Sequence, residues 1–262
     1  AAQATRDNAQ SVVAAANALV LTTGAEKDAA AEALLLAIAE RDAANAALAD
    51  AEAAAESLRV LAENAERLIA MGAAGYFETM GSTSAYNVLT DPAFTKYLSS
   101  IDLGDANSAT SIANMIRALE YISEGNAIRE SLGLTPWQVS DTLMAIAMAN
   151  TDRANEVMGH SGQFNVTENL AWGYTGTSPS TSPFRGWYDQ EKVKFDNAVA
   201  SGNYPGLETM TPISIQMNYP ALYQQIGHYL NIIAPGTSLT GFGNAGTTQG
   251  QVMSGQGNIT TA

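Results

Sequence analysis

Residues 227–234 read GHYLNIIA. The run alternates and is rich in β-branched and aromatic side chains. It predicts a strand with His228, Leu230 and Ile232 on one face and Tyr229, Asn231 and Ile233 on the other. Just beyond it, SLTGFGNAGTTQGQVMS (238–254) holds two short strand-like runs about a glycine-rich turn at Asn244–Gly246. Upstream the pattern is helical. SIANMIRALEYISEGNAIRESLGL places Ile112, Met115, Ile116, Leu119, Ile122 and Ile128 at helical spacing, with Gly133 as a stop. LTPWQVSDTLMAIAMANTDRANEVM opens on Thr135 and Pro136, a cap and first-turn pair. It carries Val139, Leu143 and Ile146 as an apolar face flanked by Met144 and Met148. RGWYDQEKVKFDNAVA (185–200) reads as a third helix. Helices followed by short strands in one block specify an α+β head.

Working toward the N-terminus, the composition changes near residue 75: alanine dominates before it, and all prolines follow it. From Ala25 to Met71 no residue breaks a helix. A seam spaced alternately by three and four runs from Leu34 to Ile69, with Arg41 its one polar member. Such a repeat is the coiled-coil condition. TTG (22–24) leaves two arrangements open for residues 1–21, a hairpin folded back on the long helix or a continuation of it. The expected organisation is a helical stalk over 1–75, a neck over 76–108 and a head over 109–262. Within the neck, Asp91 and Pro92 of DPAFTKYLSS read as the cap and first residue of a short helix.

The chain of 262 residues carries a formal charge of −14, and its pI is about 4.4. Nucleic-acid backbones and anionic membranes would repel it. No apolar run approaches the roughly 20 residues of a membrane span. The opening AAQATRDNAQ lacks the basic flank and apolar core of a signal peptide, so the chain reads as cytosolic or as a piece of a longer exported protein. Cysteine is absent, which excludes disulfides and thiolate metal sites. Asn165 and Asn258 each match the short glycosylation pattern, which also arises often by chance.

The chain has two histidines, His160 in EVMGHSGQF and His228 in QQIGHYLNII. Glu168 follows the first in ENLAWGY, and Gln190 and Glu191 lie in WYDQEK. Two imidazoles with carboxylates could bind a divalent metal such as zinc and leave a position open for water. A lone histidine near the end of an element is more often a packing or hydrogen-bonding residue, and no HExxH-type spacing links the two. Ser161 adjoins His160, but no GxSxG elbow supports a serine hydrolase. GFGNAG lacks the βαβ context of a dinucleotide loop. Trp172, Tyr174, Trp187, Tyr188, Tyr219, Tyr223 and Tyr229 cluster near these segments, as core packing or as the wall of a ligand cleft.

The order GHS, ENLAWGY, WYDQEK, GHYLNII over roughly residues 109–243 resembles the CAP superfamily, which contains the cysteine-rich secretory and pathogenesis-related proteins. EGNAIRESLGLTPWQVSDTLMAIAMANT and SPFRGWYDQEKVKFD are most similar to the bacterial surface-exclusion type, in which a coiled coil commonly precedes the head. The resemblance implies an α-β-α sandwich whose cleft holds two histidines and two acids: His160, His228, Glu168 and a glutamate of the WYxE helix. Aligned on Trp187–Tyr188, that last position is Gln190, with Glu191 one residue, or about 100° of helix, beyond it. The phase set by Trp187 and Tyr188, continued by Phe195, favours Gln190 facing the cleft. An amide there would weaken zinc and remove a candidate base.

Cleft residues expected on this reading are His160, Glu168, Trp172, Tyr188, Gln190, Glu191 and His228, with His160, His228 and Glu168 on the metal. The implied role is binding, adhesion or surface exclusion on the outside of a Gram-positive bacterium. A lipid, sterol, glycan or peptide would occupy the cleft, a protein partner would lie on a cell surface, and the stalk would self-associate. The alternatives are a metal-dependent hydrolase and a structural module with a vestigial cleft.

Overall fold

The computed structural model describes residues 2–255, with side chains from residue 8 onward. Asn258 lies outside the described residues, and Asn165 is exposed. The chain divides into two compact units after Glu63.

The first unit is a single helix. Helix α1 runs from Ala2 to Ala70 and so extends into the second unit. TTG does not interrupt it, and the hairpin alternative is thereby corrected. The hydroxyls of Thr22 and Thr23 fold back onto the carbonyls of Ala18, Leu19 and Val20. These helix-internal bonds satisfy polar groups that would otherwise favour a turn. Every side chain from residue 8 to residue 67 is exposed, so over that length the Leu34–Ile69 seam meets no partner among the described residues.

The second unit starts with the last turns of α1. Arg67 pairs with Glu78 at 2.7 Å, and the chain then turns at Gly72 with φ 56°. A Cβ there would sit 2.3 Å from the Thr110 carbonyl, so only glycine fits. Helices α2 (Ala73–Thr79) and α3 (Thr83–Thr90) follow. They bury Phe77, Ala85, Val88 and Leu89 in the same core as Leu143 and Phe242. The segment expected as a neck is therefore part of the head's core, its small apolar residues being too closely spaced to read as one helix. DPAFTKYLSS is not a helix. The Asp91 carboxylate accepts from Ala93 N at 2.8 Å, which makes a local turn, and one 3₁₀ turn follows at Leu98–Ser100.

Helix α4 (Ile112–Ser131) is capped by Ser111. Its buried stripe is Ala118, Tyr121, Ile122, Gly125 and Arg129. Ile112, Ile116 and Leu119, expected inside, are 44%, 56% and 42% exposed. The chain then runs extended through Thr135–Pro136 into β1 (Gln138–Val139), and Val139 is exposed. Helix α5 (Asp141–Glu156) begins only afterwards, with Ser140 as its cap. It is buried on nearly every side from Leu143 to Asp152.

Strands β2 (Thr167–Trp172), β3 (Leu239–Ala245) and β4 (Thr248–Ser254) complete a four-stranded sheet ordered β1-β3-β4-β2. β1 pairs with β3 in parallel, and the other pairs are antiparallel. Strand alternation divides β3 between two layers. Gly241 and Gly243 face α5, where a Cβ would lie 2.1 Å from the Leu143 carbonyl carbon and 2.5 Å from the Ala147 carbonyl oxygen. Gly250 of β4 faces the side chains of Thr151 and Leu170 instead. Phe242 points to the other side and stacks on Tyr121 of α4 at 4.8 Å. The result is an α-β-α sandwich, preceded in the sequence by a long helix.

The largest departure from the sequence reading is GHYLNIIA. It is the end of helix α8 (Pro220–Ile233), not a strand. Leu222, Ile226, Tyr229 and Leu230 are buried at spacings of four, three and one, a helical stripe. An eight-residue window is too short to show that period, and Pro220 at the first turn marks the true start. With α6 (Glu191–Ala200) and α7 (Pro212–Asn218), α8 builds a second, smaller core. Among the described residues no helix is long and apolar enough to cross a membrane.

Two stability tests follow from this packing. Gly243→Ala drives a methyl group into the α5 backbone and should lower unfolding free energy by about 1–3 kcal/mol, read from urea melts. Asp152 is 4% exposed and accepts from Ser108 Oγ and Ala109 N, each at 2.7 Å. Burial pushes its carboxyl up to about 7. Between the ordinary carboxylate pKa and that value the folded protein holds a proton that the unfolded chain has lost, so this group's contribution to stability falls as pH rises. Asp152→Asn should therefore gain on the parent protein as melts move from pH 4 to pH 7. A constant difference across that range would count against the assignment.

Candidate functional site

Five residues of α8 fall on one helical face: Tyr223, Gln224, Gly227, His228 and Asn231. With His160 and Glu168 they line a cleft of about 270 Å³. His160 reaches it from the loop after α5, and Glu168 from β2. The two histidines thus share one cleft.

Each imidazole is held by a carboxylate. His160 Nδ1 lies 2.5 Å from Glu168 Oε2, and His228 Nδ1 lies 2.7 Å from Glu191 Oε1. An ionised carboxylate only accepts, so each Nδ1–H donates, and Nε2 is left as the ring atom open to a ligand. Both oxygens of each carboxylate accept a hydrogen bond. Glu168 Oε1 accepts from Asn150 Nδ2 at 2.6 Å, and Glu191 Oε2 accepts from Tyr229 N at 3.0 Å. Glu168 thereby orients the His160 ring and lines the cleft beside it.

The hydrogen bond from Glu168 raises the His160 pKa against the opposing effect of burial. The pair favours the fold most below the ordinary imidazole pKa, and that contribution is lost once pH passes the raised value.

Glu191, not Gln190, stands behind His228. Residues Arg185–Gln190 form a π-helical turn ahead of α6. Its i→i+5 bonding takes up one more residue than an α-turn. Glu191 therefore arrives where an unbroken α-helix from Trp187 would have carried Gln190. Glu191 is 7% exposed, whereas Gln190 faces outward into a separate surface hollow with Pro179, Arg185 and Val193. The expectation of an amide in the cleft is corrected, and with it the argument that a missing charge weakens metal binding.

Trp172 and Tyr188 do not line the cleft. Trp172 Nε1 donates to the Ala154 carbonyl, and Tyr188 packs on Tyr229 at 5.8 Å. Of the aromatics expected in the wall, Tyr223 lines it, while Trp187 supports the His228 ring from behind at 6.0 Å.

Asn150 went unremarked in the sequence. It is 3% exposed and joins Glu168, Ser161 Oγ and Gln163 Nε2. Its signal was an amide on the buried face of an apolar helix. Asn231, which bonds Asn169, was missed because α8 was read as a strand. Ser161 Oγ donates to Asn150 rather than to His160, so the serine and histidine form no nucleophile–base pair. Among the described residues no three or more His, Cys, Asp or Glu are grouped to hold a metal ion. The cleft offers two imidazoles with the Glu168 carboxylate beside one of them. Carboxylate-oriented imidazoles suit zinc, and two of them would hold it loosely compared with the usual three or four protein ligands.

A sequence model of the cysteine-rich secretory protein family, CAP, matches residues 122–260. That span takes in His160, Glu168, Glu191 and His228. No curated protein matches the chain.

Glu168→Gln should lower the His160 pKa toward its ordinary value in an NMR titration, and Gln190→Ala should leave it unchanged. An unmoved His160 in the Glu168 variant would mean that the carboxylate does not control the ring.

Proposed function

Since the chain belongs to the cysteine-rich secretory protein family, we propose that its head is a binding module displayed on the outside of a bacterial cell, using the two-histidine cleft to hold a ligand's polar end. The observation that carries this reading is the pair of carboxylate–imidazole couples, in each of which a largely covered glutamate side chain holds a more exposed ring. Both glutamates are spent on orienting rings, and the neighbouring serine is bonded elsewhere. The arrangement presents two ring edges to a ligand without a nucleophile beside either. Gln224 and Asn231 add amides and Tyr223 an aromatic edge. A cleft of about 270 Å³ is at the small end for an entire lipid or sterol and suits the end of a glycan or peptide.

A divalent metal such as zinc would be held by Nε2 of His160 and His228, where it would supply a Lewis-acidic point for a ligand oxygen. The likeness of SPFRGWYDQEKVKFD to the surface-exclusion type supports a role in adhesion or exclusion between cells. That likeness also supports an origin outside the membrane of a Gram-positive bacterium.

Calorimetric titration of zinc into the full chain tests the cleft. Binding should be weak and should vanish in His160→Ala and in His228→Ala. Glu191→Ala should weaken it by roughly tenfold or more, as losses of orienting partners do, while Gln190→Glu leaves it unchanged. Zinc binding that survives both histidine variants would remove the metal from this reading. Zinc-dependent cleavage of peptide or cell-wall material that disappears in His160→Ala would replace the binding module with a hydrolase.

A further inference from the structure

The hollow that Gln190 faces is one half of a groove. A second hollow, between α4 and the π-turn, adjoins it and shares Pro179, Arg185 and Asp189 with it. The two measure about 590 and 420 Å³. Ile128 and Phe184 give the α4 half apolar walls, and Val193, 58% exposed, gives one to the α6 half. None of these residues lines the histidine cleft.

The charges of the groove are sorted along it. Arg185 and Asp189 line both halves, Glu124 only the half beside α4, and Lys194 only the half beside α6. The first half therefore sets two acids against one base, and the second two bases against one acid. None of the four enters an ion pair among the described residues. Arg185 turns to the Ser180 carbonyl, at 3.4 Å. Glu124 Oε2 accepts from the buried Ser182 Oγ at 2.8 Å, which fixes the carboxyl in place. Burial pushes that carboxyl up, the Ser182 bond opposes the rise, and the like charge of Asp189 adds to it. Two carboxylates that share a half-buried hollow, with no cation bonded to either, repel each other. An ammonium between them would turn that repulsion into attraction.

We propose that this groove is a second binding site, for a di- or tripeptide with both ends free. Its ammonium lies between Glu124 and Asp189, its carboxylate lies between Arg185 and Lys194, and small apolar side chains rest on Ile128 and Val193. The length follows from the helix. Asp189 and Lys194 stand ~7 Å apart along its axis, the reach of about two residues of extended chain. A lysine side chain of a longer peptide would satisfy the acidic end alone and leave Arg185 and Lys194 without an anion.

Trialanine titrated into the isotope-labelled full chain tests the site by NMR. The amide signals of Asp189 and Val193 should move saturably, with a dissociation constant on the order of 1 mM. N-acetyl-trialanine and trialanine amide should each bind at least about tenfold more weakly, since each lacks one charge-assisted contact. Glu124→Gln should weaken trialanine to the same degree and leave N-acetyl-trialanine unchanged, because that peptide has no ammonium to lose. Lys194→Ala, at an exposed position, should weaken trialanine and leave trialanine amide unchanged. Groove signals that stay still, or blocked peptides that bind as well as the free one, overturn the proposal. So do shifts that centre on the amides of Gly227 and His228, which would put the peptide in the histidine cleft.

Discussion

The buried guanidinium of Arg129 holds the head's elements in their places. It is fully buried, and it donates to the carbonyls of Thr135, Ile232, Ala234 and Thr237. Trp137 covers it at 4.5 Å. A buried cation without hydrogen-bond partners would be prohibitively costly. Here the charge is met by the carbonyl-rich C-terminal end of α8, where the helix dipole favours a cation. One side chain thereby ties the end of α4, the approach to β1, the last turn of α8 and the approach to β3. Because α8 carries His228 a turn and a half from that end, the same tie sets the depth at which the imidazole enters the cleft.

Rotation about the helix axis is governed separately, by the π-turn at Arg185–Gln190. Trp187 is locked by its indole bond to the Leu170 carbonyl, and Glu191 is locked by its two bonds to α8. An α-helix joining these anchors would put the wrong residue under His228. The extra residue in the turn reconciles them. The structure thus keeps a complete set of two imidazoles and two acids although its sequence is offset by one position.

That offset explains the main failure of the sequence as a guide to the site. His160, Glu168 and His228 could be picked out because they are rare or sit in distinctive segments. Gln190 was a wrong choice because helical phase was counted at 3.6 residues per turn, and nothing in RGWYDQ announces a π-turn. α8 was hidden in another way: its β-branched and aromatic residues match a strand over eight positions, and only the longer span from Pro220 shows the helical stripe. The burial of α2 and α3 was not legible because the short apolar groups of 73–90 acquire meaning only against α5. The helix of α1 was legible from Ala25 onward, since an unbroken run of helix-forming residues needs no tertiary context to be seen.

The glycine floor beneath α5 has a consequence for how the head can vary. At Gly241 the atoms met by an added methyl belong to the main chain of Leu143 and Met144, and at Gly243 to the Thr151 hydroxyl and the main chain of Ala147. In most cores a bulky replacement can be rescued by trimming a facing side chain. Here there is no facing side chain to trim at Gly241, and at Gly243 trimming Thr151 would still leave the Ala147 carbonyl in the way. Substitutions at these two glycines have no second-site suppressor among the residues they touch. The pairing of helix and sheet behind Asn150 is therefore a fixed frame, around which the faces of the head that meet solvent are free to diverge.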